Sequence, residues 1–490
     1  MATTGVTLAS GNRVKHSKVR ETAFGITPTS PALKNLRVTS STLQPGIDTV
    51  VSQELRTDRQ IPDQTTVGVK ASGALNFELS FSAIDDFFEE ALQGTWANKP
   101  VITNTGAGTP ISALTTSAAD VVSGGAAFLA GMICQTSGFA NAANNLIATV
   151  ASSTGTAITF PAATFVADAS PQAGATIRVV GVAGASGDIV AATTSLTSTT
   201  LDFTTLGLSA GDWIKIGGAA TGDQFATSAD NAFVRVTSVA AHALGLDNLP
   251  SAWAADAGTG KTIWIWFGDT VTNGTALWTS TYERVYNDQE TPTYEYYTGA
   301  ATDKLSLSIS ASQIITGSVS VIAKNAAWQT TRVSGATDVA PPTYPVLNAT
   351  SNFGQLDYAG SLQGGPDFIM SMTFDIDNGI TPSMAVGSLG AVAMTNGDFN
   401  VTGSLDVYFG DATMLQSLLN NAAVALNFRV GDALNNEETY VVDMPQVKLT
   451  SGQINDVTKN KPVMQNIGYR AVLSPTLGYT TKICRFWFHQ

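Results

Sequence analysis

The stretch Ala255-Asp256-Ala257-Gly258-Thr259-Gly260-Lys261-Thr262 comes nearest to a chemical motif, a relaxed P-loop with Ala for the first Gly. A phosphate-holding loop of that kind joins a strand to a helix, whose first N–H groups carry the anion. Here Ile263-Trp264-Ile265-Trp266-Phe267 follows, which reads as a strand, so no nucleotide site is expected. Asp375-Ile376-Asp377-Asn378-Gly379 could begin a calcium loop, but Gly379 sits where a ligand is needed and no Glu follows at the required distance. It reads as a β-turn. Asp85-Asp86 and Glu89-Glu90 could pair as general acid and base, yet their place at the start and on the polar face of a helix predicts a solvated face. His16, His242 and His489 are scattered, and Cys134 and Cys484 lie far apart. That gives no metal spacing, catalytic dyad or disulfide framework. The sequence therefore assigns no catalytic residue, no cofactor and no metal site, and predicts a protein that is not an enzyme.

The framework around these residues is most legible from Ser72 to Trp96. Leu75, Phe77, Leu79 and Phe81 alternate with Asn76, Glu78 and Ser80, the period of a half-buried strand. Ile84, Phe87, Phe88, Ala91 and Leu92 then recur at helical spacing. Ser82 is the expected N-cap, Asp85 and Asp86 complement the helix dipole, and Gly94 is the expected stop. The unit returns near the other end. Thr402-Gly403-Ser404-Leu405-Asp406-Val407-Tyr408-Phe409 aligns with Ser72 to Leu79 at an offset of 330 (405 − 75). Met414, Leu415, Leu418 and Leu419 follow on one face, with Asn420-Asn421 in place of the Gly stop. This predicts an internal duplication of one β-rich domain.

In the 490 residues, 44% are hydrophobic, enough for packed cores, and 13% are charged, about half the usual share. A net charge of −13 argues against a protein that grips nucleic-acid phosphates. The first residues lack a charged region followed by an apolar core, so no signal peptide is expected. No apolar run reaches the roughly 18 residues of a membrane span. Residues 1–35 carry Arg13, Lys15, Lys18 and Arg20 without periodicity and are expected to form a basic N-terminal arm. Residues 36–102 and 271–340 make one discontinuous main domain, and 341–490 the second. Between them Ala, Gly, Ser and Thr dominate, and a second repeat emerges. Asn145 to Val150 matches Asn231 to Val236, and Gly174 to Val179 matches Gly260 to Ile265, both at an offset of 86. Two inserted β modules, 103–190 and 191–270, are expected. The polar run from Gln44 to Gln64 predicts a long hairpin or loop, either solvated or reaching another subunit.

Glu54-Leu55-Arg56-Thr57-Asp58-Arg59-Gln60-Ile61, the run Gly73 to Ser80 and the run Phe87 to Trp96 together resemble the tail tube (major tail) proteins of long-tailed siphophages. The resemblance covers about residues 10–100 and 275–490 and leaves the insert outside it. It implies a mainly β fold: a duplicated sandwich or barrel domain, each copy with a short flanking helix. It implies rings joined edge to edge, stacked into a tube that conducts the genome. It implies tape measure, tail terminator and distal tail proteins as partners, and double-stranded DNA passing without specific binding. The loop that contacts the adjacent ring would hold Gln53, Glu54, Arg56, Asp58, Arg59, Gln60 and Asp63. Since family rings hold six single domains, a duplicated chain needs three copies for the same pseudo-sixfold ring. The inserted modules would then decorate the exterior. Two rivals are a surface or secreted protein with paired carbohydrate- or cell-binding modules, and a polysaccharide depolymerase. The missing signal peptide weighs against the first and the missing carboxylate constellation against the second.

Overall fold

The computed structural model describes residues 8–358, 361–362, 368–432, 437–455 and 459–490. Twelve strands and two helices fall into two runs of the same order. The first run is β1 (Val14–Arg20), β2 (Gln44–Val51), β3 (Gln64–Glu78), α1 (Asp85–Leu92), β4 (Ser280–Tyr286), β5 (Thr293–Ser310) and β6 (Thr316–Ala323). The second is β7 (Phe353–Tyr358), β8 (Ile369–Asp377), β9 (Asn400–Tyr408), α2 (Thr413–Leu419), β10 (Ala423–Gly431), β11 (Thr439–Ile454) and β12 (Met464–Ala471), with β13 (Lys482–Phe486) after it.

The pairing repeats with the order. β1 pairs β4 as β7 pairs β10, and β4 pairs β5 as β10 pairs β11. β6 lies between β5 and β3 as β12 lies between β11 and β9. The ladder irregularities repeat too. The β5–β6 register shifts between Thr302 and Lys304, and the β11–β12 register between Leu449 and Ser451. Both differences, 449 − 302 and 451 − 304, are 147. A bulge adds local bend and twist, so β5 and β11 each turn there from one sheet of the sandwich into the other. The duplication read from one strand and one helix thus extends to the irregularities of the backbone.

One sheet runs through both copies, in the order β2-β3-β6-β5-β8-β9-β12-β11, with every neighbour antiparallel. Its inner side chains, among them Leu75, Phe77, Leu305, Val319, Phe374, Leu405 and Ile467, share one apolar core with α1 and the outer strands. Equivalent glycines allow tight packing in each copy. A Cβ on Gly73 would meet the Thr42 carbonyl at 2.4 Å, and one on Gly403 the Thr373 carbonyl at 2.1 Å.

The insert has its own core, from Ile102 to Phe267. Its repeat is visible in one device. Asn145 clasps the backbone N–H and C=O of Phe139 at 2.8 and 3.0 Å, and Asn231 does the same to Phe225 at 2.8 and 2.9 Å. The two halves share one sheet, joined where Gly181 faces Trp266. Ile133, Val180, Trp213 and Trp266 of the insert pack on Val441, Cys484, Phe486 and Phe488. Arg235 reaches Asp443 at 3.1 Å, and Lys482 reaches Asp212 at 2.8 Å.

Four local expectations are corrected. Residues 14–20 are not an arm: they form β1, paired with β4 along seven positions. The carboxylates of α1 do not form a solvated face. Glu90 is buried against Lys18 (2.9 Å), Glu89 meets Arg20 (2.7 Å) and Asp86 meets Lys34 (2.9 Å). The two errors share one cause, since the basic stretch and the acidic helix neutralise each other. Ser82 does not cap α1; it lies at φ 61°, its N–H donates to the Tyr440 hydroxyl, and Ile84 takes the cap position. The helix stops at Gln93, which adopts the left-handed conformation at φ 50°. Gly94 serves close approach instead, because a Cβ there would meet the Thr272 carbonyl at 2.2 Å.

Candidate assembly edges and polar face

The solvent face of the eight-stranded sheet follows from strict alternation. With Leu305, Leu307 and Ile309 turned inward, Ser306, Ser308 and Ser310 turn out. Asn76, Ser318, Ser320, Thr373, Thr402, Ser404 and Asn466 occupy the same face on the neighbouring strands. Hydroxyls and amides therefore dominate it, and it also carries Lys304, Lys448 and Arg470. Three of its carboxylates are tied sideways: Asp406 accepts from Ser371 at 2.8 Å and from Asn466 at 2.5 Å, Asp375 from Ser306, and Asp377 pairs with Lys304 at 2.7 Å. Burial pushes the Asp375 carboxyl above its ordinary range. Against the cost of its own partial burial, the Lys304 ammonium and the Gly379 N–H hold Asp377 below it.

Both ends of this sheet are open. Among the described residues β2 pairs with β3 alone. The last stretch of β11, Leu449 to Ile454, pairs with β12 alone. Ile47 and Val50 on β2 are 62% and 52% exposed, and Ile454 on β11 is 44% exposed. An unpaired edge of this kind is a template for another strand.

β2 and β3 continue beyond the sheet as a hairpin whose tip carries every residue expected to contact a neighbouring ring. Gln53, Glu54, Arg56, Asp58, Arg59, Gln60 and Asp63 are all exposed. Leu55 is fully exposed beside them, and Ile61 is 72% exposed. The tip holds its own shape: Arg56 grips Asp58 with two bonds of 2.9 and 2.6 Å, and Gln60 N–H donates to Asp58. The second copy's hairpin, at residues 378–399, takes another course. Its short strands Thr381–Ser383 and Ala393–Thr395 pair. Ile380, Ala391 and Met394 are buried on Ala301 of the first copy, and Val69 N–H donates to the Leu389 carbonyl.

A family model described as "Phage tail tube protein" matches the chain twice, at residues 11–241 and 238–471, and the two matches together span both runs and the insert. The chain belongs to the phage tail tube protein family. Its role is structural, and its place is the tail of the virion. A comparison with curated proteins found no match. No helix of this tail tube protein, among its described residues, is long and apolar enough to cross a membrane.

The stretches that suggested other chemistry have structural places in the tube fold. Lys261 donates to the Thr221 carbonyl at 2.6 Å, just before the strand Trp264–Phe267. Asp375 to Asp377 lie in β8 rather than in the expected β-turn, and the Asp377 side chain accepts from Gly379 N–H where the strand ends. Asp85 is buried between Arg485 and the Tyr440 hydroxyl. Arg485 also holds Asp269 at 2.7 Å, which ties the first copy and the foot of the insert to the second copy. Burial pushes both cysteine thiols up, Cys484 to about 12. No periodicity announced the buried Arg485 and Arg235 pairs, because their partners lie more than 200 residues away in the chain.

Proposed function

We propose that three copies of this chain close into a ring with pseudo-sixfold symmetry, and that the rings stack into the tube that delivers the genome. One observation carries the reading. A single sheet is built from two equivalent four-stranded units and left open at both ends. A sheet with two raw borders gains most by closing on copies of itself, because closure removes edges altogether. Three such sheets make one barrel, with the hydroxyl-rich face turned to the bore.

In this arrangement the exposed tip from Gln53 to Asp63 reaches the adjacent ring, and Arg56, Arg59, Glu54 and Asp63 meet charges there. The division into a first tube domain (36–102 and 271–340), two modules (103–190 and 191–270) and a second tube domain (341–490) fits this reading, with β1 added to the first. The insert decorates the exterior, supported by its packing on β11 and β13 through Val441 and Phe486. Tape measure, tail terminator and distal tail proteins are the expected partners, and double-stranded DNA passes without specific binding.

Electron microscopy of the purified protein tests the ring. Stacked annuli with three chains each are expected. Persistent monomers, or rings of six whole chains, would overturn it. Replacing residues 53–62 by a short Gly-Ser turn tests the loop: single rings should form and fail to stack, whereas stacking at the wild-type rate would remove the loop from the contact.

A further inference from the structure

We infer that the junction between the two halves of one chain is the template for the junction between chains, and that it fixes the register. This rests on the ring reading above. Inside the chain β5 pairs β8, with Ser306 facing Asp375 and Lys304 facing Asp377. The shared bulges place β11 at 147 positions after β5. Leu75 faces Ser41 as Leu405 faces Met372, which places β8 at 331 positions (372 − 41) after the chain of β2, given the offset of 330 between Leu75 and Leu405. Moving both partners by these amounts puts β11 of one chain beside β2 of the next. Gln453 (306 + 147) faces Gln44 (375 − 331) of the next copy. Gly452 faces Pro45, and Ser451 faces Gly46.

The residues at these two edges suit a junction that stays quiet until it is made. Thr42 N–H donates to the Ala74 carbonyl, so the alternation along the strand turns Pro45 nitrogen away from β3 and towards the open side. Proline offers no donor there, which blunts the edge against stray strands and leaves that rung one hydrogen bond short of its template. Gly452, opposite, brings no side chain against the ring.

A separate observation marks the same surface. α1 packs over the β5–β8 junction: Phe87, Phe88 and Leu92 are buried, and Asn378 Nδ2 donates to the Ala91 carbonyl at 2.9 Å. α2 packs over β11 at the equivalent place, yet only Met414 is buried and Leu419 is 83% exposed. Besides β1 of its own half, α1 is covered by the second half of its chain, with Phe88 against Tyr440. The equivalent cover for α2 is the first half of another.

Disulfide trapping tests the register. Gln44→Cys and Gln453→Cys are placed in one chain, whose native Cys134 and Cys484 are both buried. Oxidised tubes should give covalent dimers and then trimers, with the series closing at three. The shifted pair Gln44→Cys with Asn455→Cys should give little. Tubes that form but do not crosslink through 44 and 453, or that crosslink equally through 44 and 455, overturn the register while the ring stands. Absence of rings in the reduced wild-type protein overturns the ring itself, and the register with it. If the cysteine chain does not assemble, charges replace thiols. Gln44→Glu with Gln453→Glu should abolish assembly, and Gln44→Lys with Gln453→Glu should restore it, since like charges directly opposite destabilise a strand pair. Equal assembly of the two variants overturns the proposal.

Discussion

At the scale of single residues, the tube fold is pinned by buried charges that its low charge content would not suggest. Lys18 and Glu90 are 4% and 3% exposed at their side chains, and Glu90 also accepts from Ser280 and Thr302 at 2.9 and 2.8 Å. Removing one partner of a buried pair costs about 3–5 kcal/mol, because the other charge stays behind without its counter-ion. Lys18→Met should therefore lower the denaturation midpoint steeply, and Lys18→Met with Glu90→Leu should recover much of the loss. A single variant as stable as the wild type would show that Glu90 is held by its hydroxyls alone. His489 gives a pH-dependent counterpart. Burial, then Lys215 and Arg429, depress its imidazole to about 3, with Asp432 opposing. In the unfolded chain it titrates near 6.5. The unfolded chain therefore takes up a proton that the folded one does not, so the stability of neutral His489 is full above pH 6.5 and is lost as pH falls towards 3. His489→Gln should flatten the fall of the midpoint between about pH 6.5 and 4.5, by at most about 1.4 kcal/mol per pH unit. Equal slopes for the two proteins would mean that folded His489 titrates normally.

At the scale of elements, the two copies should respond alike to one substitution. A valine at Gly73 or Gly403 would push a side chain into the Thr42 or Thr373 carbonyl, and overpacking of this kind costs about 1–3 kcal/mol. Gly73→Val and Gly403→Val should each lower the melting temperature, while Gly155→Val, with nothing within 4 Å, should leave it nearly unchanged. Equal melting of all three would show that the sheet opens freely at those points. The same elements show what could be read beforehand. The strand from Leu75 to Phe77, the helix after it and their copy at Leu405 were legible because alternation and helical spacing are local. The Asn145–Val150 repeat was legible for the same reason. The basic stretch Val14–Arg20 was not, because the partners of its charges are distant: those of Lys18 and Arg20 sit on α1, 72 and 69 residues away, and that of Lys15 is Asp338, 323 residues away. Ser82 misled because capping propensity yielded to its bond with Tyr440, 358 residues distant. The hairpin tip could be placed as exposed and polar, but the different fate of its second copy, folded onto Ala301, had no signal in its composition.

At the scale of the whole molecule, the question is what the bore presents to passing DNA. A net charge of −13 argued against gripping DNA, and the face assigned to the bore is mainly Ser, Thr and Asn, with three carboxylates bound to neighbouring side chains. Such a surface works by offering little to hold. Duplex DNA binds proteins largely by exchanging its condensed counter-ions for Lys and Arg, and a face with Lys304, Lys448 and Arg470 among its more numerous hydroxyls, the first paired with Asp377, releases few of them. Adding cations should therefore change transit more than removing anions. Ser308→Lys, Ser318→Lys and Thr402→Lys, combined, place ammonium groups on three adjacent regions of that face. Tubes of this variant should retain short linear duplexes in sedimentation at low salt and lose them as salt rises, while wild-type tubes retain none at either. Asp406→Asn, which removes a carboxylate already bonded to Ser371 and Asn466, should leave the wild-type result unchanged. If wild-type tubes held DNA with the same steep salt dependence, or if the lysine variant held none, this face would have to be moved from the bore to the outside of the tube.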